Sequence, residues 1–164
     1  MKNNIFILNT VNKKAIEQLV SIYSSALNKF NFRNWFFQDF VDLINNGSSI
    51  FYYMMNDMIV GFSVVRFNQD FTEIITIAVD SNYQRNKIGQ NILNYIINSP
   101  NFSGSIILDV AITNTNAIIF YKKFGFKKIG QRKNYYLISK GDKAGQKIDA
   151  IVMQLNLNLA TFQQ

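Results

Sequence analysis

Along this chain, short runs of successive or alternating apolar residues are interleaved with stretches in which apolar residues return every three or four positions. The first pattern predicts strands and the second amphipathic helices. Ile5, Phe6, Ile7 and Leu8 predict a short opening strand. Asn12 is a residue type that caps helix N-termini, and beyond it Ile16, Leu19, Val20, Tyr23 and Leu27 line one helical face. A second helix is predicted near Trp35 to Ile44, carrying Phe36, Phe37, Phe40, Leu43 and Ile44 and stopping at the turn signal Asn45-Asn46-Gly47. Ser49 to Met55 and Met58 to Phe67 then read as a hairpin, joined by Asn56 and Asp57, which tolerate the backbone of a tight turn.

The next stretch, Glu73 to Val79, is apolar on both faces and predicts a central strand, with Glu73, Ile75, Ile77 and Val79 on one side and Ile74, Thr76 and Ala78 on the other. A polar loop leads into a helix with Ile88, Ile92, Leu93, Tyr95, Ile96 and Ile97, closed by Ser99 and the single proline, Pro100. Ser105 to Val110 predicts a buried strand. Asn114 or Thr115 caps a helix through Phe124, and Gly125 supplies its left-handed terminus. Two closing strands, within Phe126 to Ile138 and over Ile148 to Leu157, flank a basic loop from Ser139 to Lys147. The order β, α, α, β, β, β, α, β, α, β, β predicts a mixed α/β fold of about seven strands and four helices, without internal repeat, as a single domain over residues 1–164.

Composition narrows the chemistry. The 164 residues are 48% hydrophobic and 16% charged, enough for one core. They include neither Cys nor His, which removes zinc fingers, His-ligated metals, Cys nucleophiles, disulfides and Ser-His-Asp triads. Carboxylates, tyrosines, lysines and backbone amides remain. A net charge of +7 and a pI near 9.6 favour an anionic partner. The apolar run at Ile5 to Leu8 is too brief for a signal peptide and no stretch reaches membrane-span length, so a cytoplasmic protein without a membrane partner is expected.

The junction Gln84-Arg85-Asn86-Lys87-Ile88-Gly89 joins the central strand to a helix. Backbone N–H groups point out of such a loop and the helix N-terminus adds partial positive charge, so a phosphate or pyrophosphate can rest there. An ordinary connection with solvated basic side chains fits the same hexapeptide. The cluster Lys122, Lys123, Lys127, Lys128, Arg132 and Lys133 reads as a solvated face.

Taken together, Ile75-Thr76-Ile77-Ala78-Val79-Asp80, then Tyr83-Gln84-Arg85 with Ile88-Gly89, then Asn114-Thr115-Asn116-Ala117 through Tyr121-Lys122-Lys123-Phe124-Gly125-Phe126 resemble the GNAT acetyltransferases, which use acetyl-coenzyme A. Arg132-Lys133-Asn134-Tyr135-Tyr136 and Asp149-Ala150-Ile151-Val152-Met153 resemble the branch that acetylates the N-terminal alanine of a bacterial ribosomal protein. The resemblance covers Glu73 to Leu155 and implies a GNAT-like, mostly antiparallel sheet.

It also implies a site. Gln84, Arg85, Asn86, Lys87, Ile88, Gly89 and Gln90 would bind the coenzyme pyrophosphate, with Lys87 standing where the family usually has Gly. The backbone of Ile77, Ala78 and Val79 would pair with the pantetheine arm and polarise the thioester, and Asn114 would contact the cofactor, cap its helix, or both. Tyr121 matches the tyrosine that protonates the departing thiolate; on residues alone it also suits a core position. Asp109 and Glu73 are both candidates for the base. Tyr135, Tyr136 and Trp35 would receive the acceptor. The implied activity is direct acetyl transfer in a ternary complex to a primary amine, foremost a protein N-terminus such as that of a ribosomal protein. Lysine or small-molecule acceptors, or a catalytically weakened basic ribosome- or RNA-binding relative, are the alternatives. For the enzyme itself no metal, no direct nucleic-acid role, and a monomer or weak dimer are expected.

Overall fold

The computed structural model describes residues 4–157, and the elements follow the predicted order. The termini of the predicted 1–164 domain lie outside the described residues. β1 (Ile5–Leu8) leads to α1 (Lys13–Leu27), a 3₁₀ turn (Asn28–Phe30) and α2 (Phe37–Asn45). β2 (Ser49–Met55), β3 (Met58–Phe67) and β4 (Thr72–Val79) follow, then α3 (Ile88–Ile97), β5 (Ser105–Ala111), α4 (Thr115–Phe124), β6 (Lys127–Leu137) and β7 (Lys147–Asn156). The seven strands form one sheet in the order β1-β2-β3-β4-β5-β7-β6, antiparallel except between β4 and β5.

Local chemistry sets the element ends. Asn12 caps α1 by accepting from the Ala15 N–H at 3.0 Å, and Asn114 caps α4 by accepting from Ala117 N–H at 3.3 Å. Gly125, at φ +110°, ends α4 in the left-handed region. Asn56 and Asp57, at φ +48° and +62°, make the tight turn of the β2–β3 hairpin. The predicted start of α2 is corrected: Trp35 precedes the helix. The Asp39 carboxylate accepts from Phe36 N–H at 2.7 Å and caps the helix there, leaving Trp35 extended and stacked on Tyr23 at 4.7 Å.

Two cores flank the sheet. Ile16, Leu19 and Ile22 of α1 and Phe40 of α2 pack with Ile50, Phe62 and Val64 on one face. Ile88, Ile92, Leu93 and Ile96 of α3 pack with Tyr121, Phe51, Ile74, Leu108 and Met153 on the other. Each fully buried aliphatic side chain contributes roughly 1.5–3 kcal/mol.

The two features that matter for the site lie in β4. Val64 pairs with Thr76 but Val65 with Ile74, so Ile75 is an extra residue, a bulge. The buried Ser63 hydroxyl donates to the Thr76 carbonyl at 3.0 Å beside it. The bulge shifts the alternation: Ile74, Ile77 and Val79 pack with the α3 core, Ile75 and Ala78 with the α1 core. The predicted common face of Glu73, Ile75, Ile77 and Val79 is therefore corrected, and Glu73 stands on the side opposite Ile77. In addition, β4 and β5 pair only over Thr72–Ile74 and Ile106–Leu108, and beyond that rung they diverge. The sheet opens there into two arms.

Candidate active site

The gap between the arms is a groove of about 1130 Å³. Every residue predicted for the site lines it except Asn86, whose exposed carboxamide folds back on its own loop and donates to the Tyr83 carbonyl at 3.1 Å. The loop after β4 and the start of α3 wall one end, whereas Glu73, Asp109, Tyr121, Tyr135, Tyr136 and Trp35 wall the other.

At the α3 end, Ile88, Gly89 and Gln90 occupy the first turn, where N–H groups have no partner within the helix and suit a phosphate. Gly61 sets the position of this turn, because a Cβ there would meet Ile88 Cγ2 at 2.9 Å, so the helix rests directly on the β3 backbone. A Cβ on Gly89 would project between Phe120 and Ile77, at 3.5 and 3.9 Å from their side chains, and narrow the groove. Gln84 serves the loop itself, donating to the Val79 carbonyl at 3.0 Å. Arg85 and Lys87 both sit in the left-handed region, at φ +70° and +60°. That costs roughly 1–2 kcal/mol for a side chain with Cβ, partly offset because glycine loses more freedom on folding. Lys87→Gly is accordingly expected to raise the unfolding free energy by about 0.5–1 kcal/mol, read as a higher urea midpoint at unchanged slope.

At the other end, Tyr121 projects from α4 between the rings of Phe120 and Phe126. Burial, and then the neighbouring Tyr136 phenol, push its hydroxyl well above the ordinary tyrosine value, so it remains a proton donor. Tyr136, raised likewise by burial, donates to the Asp109 backbone carbonyl at 3.2 Å. Both Asp109 carboxylate oxygens accept from Arg132 Nε, at 3.0 and 3.1 Å, and the Arg132 guanidinium lies over the Tyr135 ring at 5.5 Å. Glu73 pairs with Ile107 across the parallel rung, which puts it on the same side of the sheet as Asp109, two residues further along β5. Its carboxylate meets Arg66 through one oxygen at 3.3 Å. The site thus holds a phenol kept protonated on one face of the sheet and two carboxylates on the other. Among the described residues no group of three potential metal ligands occurs.

The sequence profile of the acetyltransferase (GNAT) family matches residues 14–126. The chain belongs to this family. It is 38% identical over 109 residues to N-alpha-acetyltransferase 50 of Danio rerio, covering 62% of this chain and 61% of that protein. To the [ribosomal protein bS18]-alanine N-acetyltransferase of Salmonella typhimurium it is 29% identical over 106 residues, 63% of this chain and 68% of that one. The chain thus matches about three-fifths to two-thirds of the length of these relatives. Among solved structures, the ribosomal-protein-S18-alanine N-acetyltransferase from Escherichia coli superposes with a TM-score of 0.78 at 23% identity, over 98% of both chains, and shares the fold.

Beyond the residues given a role in the site from the sequence, the structure brings several more to it. Asp149 accepts from the Asn134 N–H at 2.9 Å and from Gln131 Nε2 at 2.7 Å. It thereby holds the irregular stretch of β6 between Arg132 and Tyr136, where Asn134 is left-handed at φ +53°, and that stretch aims Arg132, Tyr135 and Tyr136 inward. Those two hydrogen bonds keep the Asp149 carboxyl below its ordinary value. Tyr23, read as core in the sequence, also lines the groove, its phenol pushed up to about 12 mainly by burial. The β6–β7 loop does not hang free. Ile138 bridges Phe32, and both the N–H and hydroxyl of Ser139 donate to the Asn31 carbonyl, at 2.7 and 3.1 Å. Phe32 stacks on Tyr136 at 4.9 Å. This clasp joins the α1–α2 connection to the β6–β7 loop, and no local pattern in the sequence signals it. Among the described residues no helix is long and apolar enough to cross a membrane.

Proposed function

We propose that this chain transfers acetyl from acetyl-coenzyme A to the α-amino group of a protein N-terminus. One observation carries the reading: the divergence of β4 from β5 opens a groove with a helix start suited to an anion at one end and a protonated phenol and two carboxylates lining the other. The first turn of α3 suits the coenzyme diphosphate, and the outer edge of β4 at Ile77 to Val79 suits an extended pantetheine. The names of the relatives, N-acetyltransferases all, support the same chemistry.

In the reaction, the neutral amine attacks the thioester carbonyl carbon, a C–N bond forms, the C–S bond breaks, and the sulfur takes the Tyr121 hydroxyl proton. Glu73 accepts the amine proton. It is favoured over Asp109 because one of its oxygens is uncommitted, whereas Arg132 engages both of Asp109. Asp109 instead holds Arg132 and, through its carbonyl, Tyr136. No covalent enzyme intermediate is required; positioning and two proton-handling groups suffice. This reading places the enzyme in the cytoplasm, where acetyl-coenzyme A and new N-termini meet.

Calorimetric titration with acetyl-coenzyme A, followed by turnover on free peptides and on the same peptides blocked at the N-terminus but carrying an internal lysine, tests the proposal. Saturable coenzyme binding with turnover confined to free N-termini is expected. Equal rates on blocked peptides would assign a lysine acceptor instead. The positioning role of Asp149 adds a second expectation: Asp149→Ala raises the acceptor KM about tenfold, leaves coenzyme affinity unchanged, and is largely rescued by Asp149→Asn, whose carboxamide oxygen still accepts from Asn134.

A further inference from the structure

The charge of this protein is unevenly distributed. Nine of its seventeen basic side chains, but only two of its ten acidic ones, follow Ala111, so the entire excess of seven positive charges belongs to the segment from α4 onward. Residues 1–111 carry eight of each sign. The half of the groove built by β6 and its loop therefore lies in a positive field, and the question is what the groove itself presents there.

Two cations that line the groove are under-used. Arg132 commits only its Nε to Asp109; among the described residues neither of its terminal Nη groups makes a hydrogen bond, and its side chain is 53% exposed. The outer edge of a guanidinium in that state is a ready fork for a carboxylate. Lys29, on the connection after α1, lines the same groove, lies over the Phe30 ring at 5.1 Å and has no ion-pair partner among the described residues. An unbroken series of ring contacts runs between the two: Phe30 on Phe32, Phe32 on Tyr136, Tyr136 against Tyr135, and Tyr135 under Arg132. The acids nearby are accounted for. Glu73 is paired with Arg66 and Asp109 with Arg132, and Asp142, near Lys29, is flanked by Lys143.

We infer that the acceptor of this enzyme is an N-terminus followed within its first few residues by an acidic side chain, whose carboxylate is received at the free edge of Arg132, with Lys29 further along the same groove adding to the positive field. This rests on the proposed N-terminal acetylation and deepens it. The α-amino group needs the carboxylate side of the site, while the next side chains lie against the Tyr135 and Tyr136 wall, where Arg132 stands. An acidic residue there gains a charge-assisted contact with Arg132, and a basic one is repelled by Arg132, by Lys29 and by the surrounding field.

The test uses the full chain and three peptide sets identical in first residue and length, with Asp or Glu, Ser or Ala, and Lys or Arg at the second and third positions. The expected kcat/KM order is acidic, neutral, basic, with acidic over basic by about tenfold at low salt and less as salt is raised. Lys29→Glu should reduce that ratio several-fold. Lys14→Glu, the same charge change at an exposed position on α1, should leave it alone. Rates equal across the sets, a preference for basic peptides, or equal effects of the two variants overturn the inference while leaving N-terminal acetylation intact. Failure of every free N-terminus, with acetyl transfer to lysine or a small amine, overturns the proposed function and this inference with it.

Discussion

Tyr121→Phe is expected to lower kcat by about a hundredfold or more while changing acetyl-coenzyme A affinity less than twofold. The substitution removes one oxygen and nothing else. The ring keeps its contacts with Phe120 and Phe126, whose centroids lie 5.3 and 5.4 Å away, so the folded state should melt at nearly the same temperature. On the proposed mechanism, what is lost is the proton for the leaving sulfur. Burial raises the phenol far above its ordinary value of 10.0, so Tyr121 stays protonated throughout the working range and the wild-type rate should not fall below pH 10 through its ionisation. Stopped-flow or steady-state release of free thiol, measured beside coenzyme titrations of both proteins, checks this. Full turnover by the phenylalanine variant would remove Tyr121 from the chemistry and return it to the core.

The second large effect is expected at Glu73. Glu73→Gln keeps size and hydrogen-bonding capacity but cannot accept the amine proton, so kcat/KM should drop about a hundredfold or more near neutral pH. The deficit should shrink as pH rises past the usual α-amino range of about 8, where solution deprotonates the acceptor without help. Asp109→Asn should behave differently. It loosens Arg132, which the carboxylate holds through both oxygens, and acts mainly on acceptor KM. The burial of the two groups points the same way: Asp109 is 17% exposed and packed under Arg132, whereas Glu73 is 39% exposed at the rim of the gap, open to an entering amine or a relaying water. A larger loss of kcat at Asp109 than at Glu73, with alkaline rescue confined to Asp109→Asn, would exchange their roles.

Much of the fold was legible because its signals are local. Periodicity marked every strand and helix in order, the Asn12 and Asn114 side chains cap where their spacing suggested, and Gly125 and the Asn56-Asp57 pair take the positive φ values their positions demand. The misreadings come from features that periodicity does not report, a backbone irregularity in one case and a side-chain cap in the other. Alternation was projected through Ile75, but the bulge there moves Ile77 and Val79 to the face opposite Glu73. Trp35 was drawn into α2 by its apolar character, yet a carboxylate four residues later starts the helix beyond it.

The sequence alone determined the mixed α/β order, the absence of Cys and His chemistry, and the strand, loop and helix series that marks the acetyltransferase family. These rest on neighbours along the chain, whose spacing is written directly in it. Only the tertiary structure decided that β4 and β5 part after three paired residues, that Arg132 occupies Asp109, that Asp149 steers the tyrosine pair, and that Asn31 and Ser139 clasp over one end of the groove. Each of those contacts joins side chains or backbones separated by 15 to 108 positions or by the crossover between parallel strands. Their geometry follows from how the two arms of the sheet pack, which no local pattern encodes.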